Sequence, residues 1–172
     1  LIRPIPDLPL IPFESRRSDF WFRGERGHTP LRQEMLDSFS GYISYDWLDH
    51  TDYLKEMGQF KFALCPTGYS HSWRVVEAMG MGCIPIVNDL EFLQFCHPFF
   101  EEGRNYLSVG PRLENVESVL SQCKDERRMS KIAAAARTTF EQYFAVRDDV
   151  LPLRTILPVV RVLLRLFPSL LS

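Results

Sequence analysis

The stretch KFALCPTGYSHSWRVVEAMGMGCIPIVND, residues 61–89, decides the fold. It begins in an apolar run at 60–64 that reads as a strand. A turn-rich segment of Pro, Thr, Gly and Ser follows at 65–71, then helical spacing at 73–81 with Ser72 as the expected N-cap. Gly82 closes that helix, and Ile84, Pro85, Ile86 and Val87 form the next strand, with Pro85 marking a strand start or a bulge. Strand, loop, helix, strand is the unit of an open parallel sheet. In such a sheet ligands sit beyond the carboxyl ends of the strands, which is where the loop after Leu64 lies.

The same alternation extends in both directions. Upstream, Asp19-Phe20-Trp21-Phe22 reads as a buried strand ending at Arg23-Gly24. Leu31, Met35, Leu36 and Phe39 share one helical face, Gly41 ends that helix, and Tyr42-Ile43-Ser44 forms a second strand. Tyr53, Leu54 and Met57 mark a short helix stopped by Gly58. Downstream the pattern predicts a helix at 91–100, a strand at 106–109, and helices at 113–122 and 126–143. Short apolar strands alternating with helices imply an α/β, Rossmann-like parallel sheet with helices on both faces. The expected organisation is a linker at 1–17, a Rossmann-like domain at 18–149 and an amphipathic tail at 150–172.

Composition narrows the function. The 172 residues suffice for one domain with a core. A net charge of −2 lacks the basic excess a nucleic-acid binder needs, yet leaves room for a small anion site. No GxGxxG follows the first strand and no GxxxxGK[ST] occurs, which argues against dinucleotide dehydrogenases and P-loop NTPases. Cys65, Cys83, Cys96 and Cys123 form no CxxC pair and the histidines are scattered, so no metal site is expected. Buried free thiols are the plain reading. One or two disulfides are the alternative in a secretory protein, and pairing of Cys65 with Cys83 stays open.

The two ends differ from the middle. The proline-rich start and the lack of an initiating Met suggest a fragment, or the second half of a longer protein. No signal peptide is evident. The tail places Arg161 and Arg165 four apart on one helical face, and it is too short and too charged to span a bilayer. It reads as a helix packing on a missing domain, or as a membrane-surface or partner contact.

The chemistry concentrates after the 60–64 strand. A helix N-terminus there offers backbone N–H groups and a positive dipole end to a phosphate. Gly68 lets the backbone approach closely. Arg74 can contact a diphosphate in bidentate fashion, and Glu77, one turn further, is suited to ribose hydroxyls. The plain alternative is an ordinary surface ion pair between Arg74 and Glu77. His71 reads as a contact for a phosphate or sugar hydroxyl or as an exposed loop histidine, and Asp89 as a contact for a bound sugar or as a cap for the next helix.

Cys65-Pro66, Gly68, Ser72, Arg74-Val75-Val76-Glu77-Ala78, Gly82-Cys83, Pro85 and Asp89 together resemble the motif of exostosin-type, family 47, glycosyltransferases. Trp73 departs from the small residue or Pro that often precedes the Arg. The resemblance implies the C-terminal half of a GT-B fold and metal-independent transfer from a UDP-sugar, usually with inversion, to a glycan or glycoprotein acceptor. No cofactor is implied beyond the UDP-sugar donor substrate. It assigns Arg74 to donor phosphate and Glu77 to ribose, with Gly68 and Ser70 lining the phosphate loop beside His71 and Ser72. Phe22-Arg23-Gly24 followed by His28 and Arg32 resembles the glycine loop and helix that open such a domain, making Arg23, Gly24 and Arg32 further phosphate candidates. The resembling family draws its catalytic base from an N-terminal domain, so no catalytic residue is assigned, and that missing domain is an expected partner. The implied location is the Golgi lumen in a eukaryote, otherwise the cytoplasm. A non-catalytic nucleotide-binding or interaction module, partnering a second transferase chain, is the alternative.

Overall fold

The computed structural model describes Ile5 and residues 8–25, 29–67, 73–89 and 99–145. Five strands form one sheet in the order β2-β1-β3-β4-β5, and every pairing is parallel. They are β1 (Arg17–Arg23), β2 (Gly41–Ser44), β3 (Phe60–Cys65), β4 (Ile84–Val87) and β5 (Leu107–Ser108). The helices are α1 (Pro30–Ser38), α2 (His50–Met57), α3 (Arg74–Gly80), α4 (Val116–Gln122) and α5 (Glu126–Tyr143). This is the expected α/β, Rossmann-like architecture.

Both faces of the sheet are covered, because alternate residues of each central strand feed different cores. One core gathers Trp21, Ala63, Cys65 and Val87 with Leu54 and Met57 of α2, Val75, Val76 and Met79 of α3, and Phe140 of α5. The other gathers Phe20, Phe22, Phe62, Leu64, Ile84 and Ile86 with Met35 and Leu36 of α1, Val119 of α4, and Met129 and Ile132 of α5. All six residues of β3 are buried, as befits a central parallel strand. Pro85 sits at the second position of β4, where Ala63 is its neighbour in β3. Pairing with β5 begins only at Ile86, so its missing N–H interrupts no ladder on that side.

Element boundaries shift where local backbone chemistry overrides periodicity. Helix α3 starts at Arg74, not at 73, and Trp73 occupies the cap position with φ −61° and ψ −11° and no side-chain cap bond. The expected cap, Ser72, lies outside the described residues, as do 90–98, where most of the expected 91–100 helix falls, and the tail from 146 onward. Helix α4 begins at Val116 instead of 113, because Leu113 adopts φ 61° in a turn. Gly41 belongs to β2 instead of ending α1: a Cβ there would fall 2.0 Å from the Phe20 carbonyl oxygen, so β1 and β2 approach through its bare backbone.

Buried polar groups tie the frame together. Arg16 is buried; it donates to the Ile11 carbonyl through Nε and Nη2 at 2.8 and 2.7 Å and to the Met81 carbonyl at 2.8 Å. The end of α3 is thereby fastened to the segment preceding β1. Lys61 is also buried and donates to Glu126 at 2.6 Å at the start of α5. Cys65, Cys83 and Cys123 are free thiols; burial pushes each up to about 12, away from thiolate reactivity.

Candidate functional site

The site lies at the carboxyl ends of β1, β3 and β4. Gly24 follows β1, Pro66 and Thr67 follow β3, and Asn88 and Asp89 follow β4. Asn88 is buried and reaches back to the start of the loop after β3. Its Oδ1 accepts from the Thr67 N–H and its Nδ2 donates to the Thr67 hydroxyl, both at 2.8 Å. The loop that leads to Gly68 is thus anchored to the neighbouring strand. Asp89 is half-buried beside it. Gly68, Ser70, His71 and Ser72 lie outside the described residues.

Two arginines distant in sequence meet on the ring of Phe22. The guanidinium carbon of Arg74 sits 4.5 Å from the ring centroid and that of Arg32 5.2 Å. Phe22 itself is fully buried. Arg32 is held there by α1, whose N-cap Thr29 accepts from the Arg32 backbone N–H at 3.2 Å, with Pro30 setting the first helical turn. Arg32 is buried, and its Nε has no hydrogen-bond partner. Burial holds the Arg32 guanidinium below its ordinary value, and the charge of Arg74 pushes the same way, with Glu25 opposing both.

Arg74 donates from Nη2 to the Arg23 carbonyl at 2.8 Å and from Nε to the Tyr53 hydroxyl at 3.1 Å. Burial works against its charge, but Tyr53, Cys65 and Glu77 outweigh it and raise Arg74 above the ordinary arginine value. Gly24 is the backbone between the two arginines. A Cβ there would lie 3.0 Å from Nη2 of Arg74 and 3.7 Å from Nη2 of Arg32, at a φ of 142° that side chains rarely adopt.

The sequence alone offered Arg23 and Arg32 equally; the fold separates them. Arg23 is clamped by Glu56 through Nε and Nη2, both at 2.8 Å, by the Asp46 carbonyl at 2.7 Å and by the Tyr42 hydroxyl at 3.0 Å. Trp21 Nε1 also donates to Glu56 at 2.9 Å. The Arg23 side chain therefore serves the β1–β2–α2 junction, and only its carbonyl reaches Arg74.

Glu77 does not simply pair with Arg74 along the helix. Its Oε2 accepts from the Tyr53 hydroxyl at 3.3 Å, and its Oε1 meets His50 Nε2 at 3.2 Å. The link from Arg74 to Glu77 runs through the phenol of Tyr53. Sequence reading missed His50, Tyr53 and Asn88. Tyr53 appeared in it only as an apolar position on a helix face. His50 carried one signal, its place just after Asp49, which caps α2 by accepting from the Thr51 and Asp52 N–H groups.

No described group of three or more His, Cys, Asp or Glu side chains could hold a metal ion, and no described helix is long and apolar enough to cross a membrane. A buried aromatic ring carrying two cations thus lies beside a glycine backbone at the carboxyl edge of a parallel α/β sheet. Residues 25–150 match the profile of a glycosyl transferase-like family, and the chain belongs to that family. No match is found among curated proteins.

Proposed function

We propose that this domain binds the diphosphate of a nucleotide-sugar donor between Arg32 and Arg74, and that its enzyme transfers the sugar to a glycan or glycoprotein acceptor. The observation that carries this reading is the pairing of the two guanidiniums on Phe22. Both arginines stand in the first turn of a helix, where the dipole already disfavours a cation. Both are desolvated, and the charge of Arg74 works against that of Arg32. An anion between them offsets the penalties left standing on Arg32 and gives its Nε a partner. A diphosphate suits two guanidiniums because each forks onto a pair of oxygens.

Glu77, held at the same edge, is suited to accept from ribose hydroxyls. The exostosin-type motif supports UDP as the nucleotide, metal-independent transfer with inversion, a GT-B partner domain and a Golgi setting. Transfer breaks the bond from sugar carbon to phosphate oxygen, and negative charge grows on the departing diphosphate. Arg32 and Arg74 supply fixed positive charge where it develops. A melting experiment tests the reading. UDP is expected to raise the Tm in a saturable way, by more than uridine does, since ligand that binds only the folded state stabilises it. Equal, negligible shifts with both would contradict it.

A further inference from the structure

The Tyr53 hydroxyl occupies a position that neither composition nor motif assigns, and it touches both charged groups of the donor site. It accepts from Arg74 Nε at 3.1 Å and donates to Glu77 Oε2 at 3.3 Å. A phenol has one proton to give, so its polarity here is fixed: the proton goes to the carboxylate and a lone pair faces the guanidinium. Burial pushes the phenol well above its ordinary value, and the opposing charge of Arg74 does not reverse this. The group therefore stays a neutral donor and acceptor at any working pH.

Arg74 and Glu77 lie three apart on α3, a spacing at which the two side chains can close into a direct ion pair. The inserted hydroxyl keeps them apart. Glu77 then spends one bond per oxygen, on Tyr53 and on His50, and a carboxylate has room for about two more. Its side chain is 17% exposed, so a ligand can reach it. His50 completes the clamp from the first turn of α2; against a carboxylate its bond requires the proton on Nε2. The phenol ring is itself fixed, edge-on to Trp21 at 5.1 Å and stacked with His50 at 6.2 Å.

We infer that Tyr53, backed by His50, is a positioning residue that holds Arg74 and Glu77 at separate stations, for the diphosphate and for the ribose hydroxyls of the donor respectively. This rests on the donor reading above and adds to it the device that keeps the two subsites from neutralising each other. It predicts a defect specific to ribose recognition when the hydroxyl is removed, because Glu77 loses one of its two restraints and is freed to swing toward Arg74.

The test uses the full chain and calorimetry with UDP and with 2′,3′-dideoxy-UDP. The parent is expected to prefer UDP. Tyr53→Phe keeps the ring packing and is expected to bind UDP roughly five- to tenfold more weakly, the size of one lost hydrogen bond. Its preference for UDP over the dideoxy analogue is expected to collapse, as in Glu77→Gln. His50→Gln, which retains a donor, is expected to keep most of the preference. Unchanged UDP affinity in Tyr53→Phe overturns the inference while leaving the donor reading intact. An equal loss for both nucleotides, with the preference preserved, also overturns it, since that is what general loosening produces. A parent that binds no UDP overturns the donor reading and this inference with it.

Discussion

Gly24 shows how much one backbone position carries in this site. Its φ of 142° is strained for any side chain, and a Cβ would press on Arg74 Nη2 at 3.0 Å. Gly24→Ala is therefore expected to cost about 1–3 kcal/mol of stability. It is also expected to weaken UDP binding, by roughly tenfold, because the displaced guanidinium is one of the two proposed to hold the diphosphate. Urea unfolding and calorimetry check the two effects separately, and a variant of parental stability and affinity would show that the Gly24 backbone is not the site's floor. At the same scale Arg32 and Arg23, alike in sequence, differ in their hydrogen-bond partners. Arg32 keeps an unpartnered Nε, whereas the Nε, Nη1 and Nη2 of Arg23 are engaged by Glu56, the Asp46 carbonyl and Tyr42.

At the scale of elements, the junction of β1, β2 and α2 is set by the carboxylate of Glu56. Burial alone would raise it, but hydrogen bonds from Arg23, Trp21 and Tyr42 outweigh that and hold it below the usual glutamate range. A carboxylate depressed on folding adds stability that is complete above its unfolded value of about 4.3 and is lost as pH falls through its folded value. The chain should therefore lose stability on acidification below about pH 4 through this group. Glu56→Gln is expected to lack that component and to be less stable at neutral pH by about 3 kcal/mol, since it leaves the Arg23 side chain, only 7% exposed, without its counter-charge. Denaturant titrations at pH 7 and pH 3.5 measure both; parallel pH curves for parent and variant would refute the assignment. Loosening this junction also moves α2, and with it Tyr53 and His50, so a loss of nucleotide affinity is expected to accompany the loss of stability.

For the whole molecule, the parallel sheet was legible because β1, β3 and β4 are apolar runs separated by helical spacing, and periodicity reports burial on both faces. Arg74 and Glu77 were legible as well, since they stand next to the strand that positions them. Arg32 meeting Arg74 was not, because that contact depends on β1 lying beside β3, a pairing between segments distant in sequence. Nor was the Tyr53 bridge, where a helix position that looks apolar turns out to spend its hydroxyl between two charges. The start of α4 was misplaced for a local reason, the left-handed turn at Leu113, which hydrophobic spacing cannot register. The long helix α5 closes the architecture by contributing Phe140 to one core and Met129 and Ile132 to the other, so both faces are bound into one unit behind the site.

If two guanidiniums from different helices grip one diphosphate, as proposed, calorimetry of UDP against the parent, Arg32→Ala and Arg74→Ala will register the loss of each. Each charge-assisted contact should be worth about 1.5–3 kcal/mol. A loss of roughly ten- to a hundredfold is therefore expected in each single variant, with uridine affinity little changed in Arg32→Ala. UDP binding in Arg32→Ala as tight as in the parent, with the fold intact, would contradict that proposal.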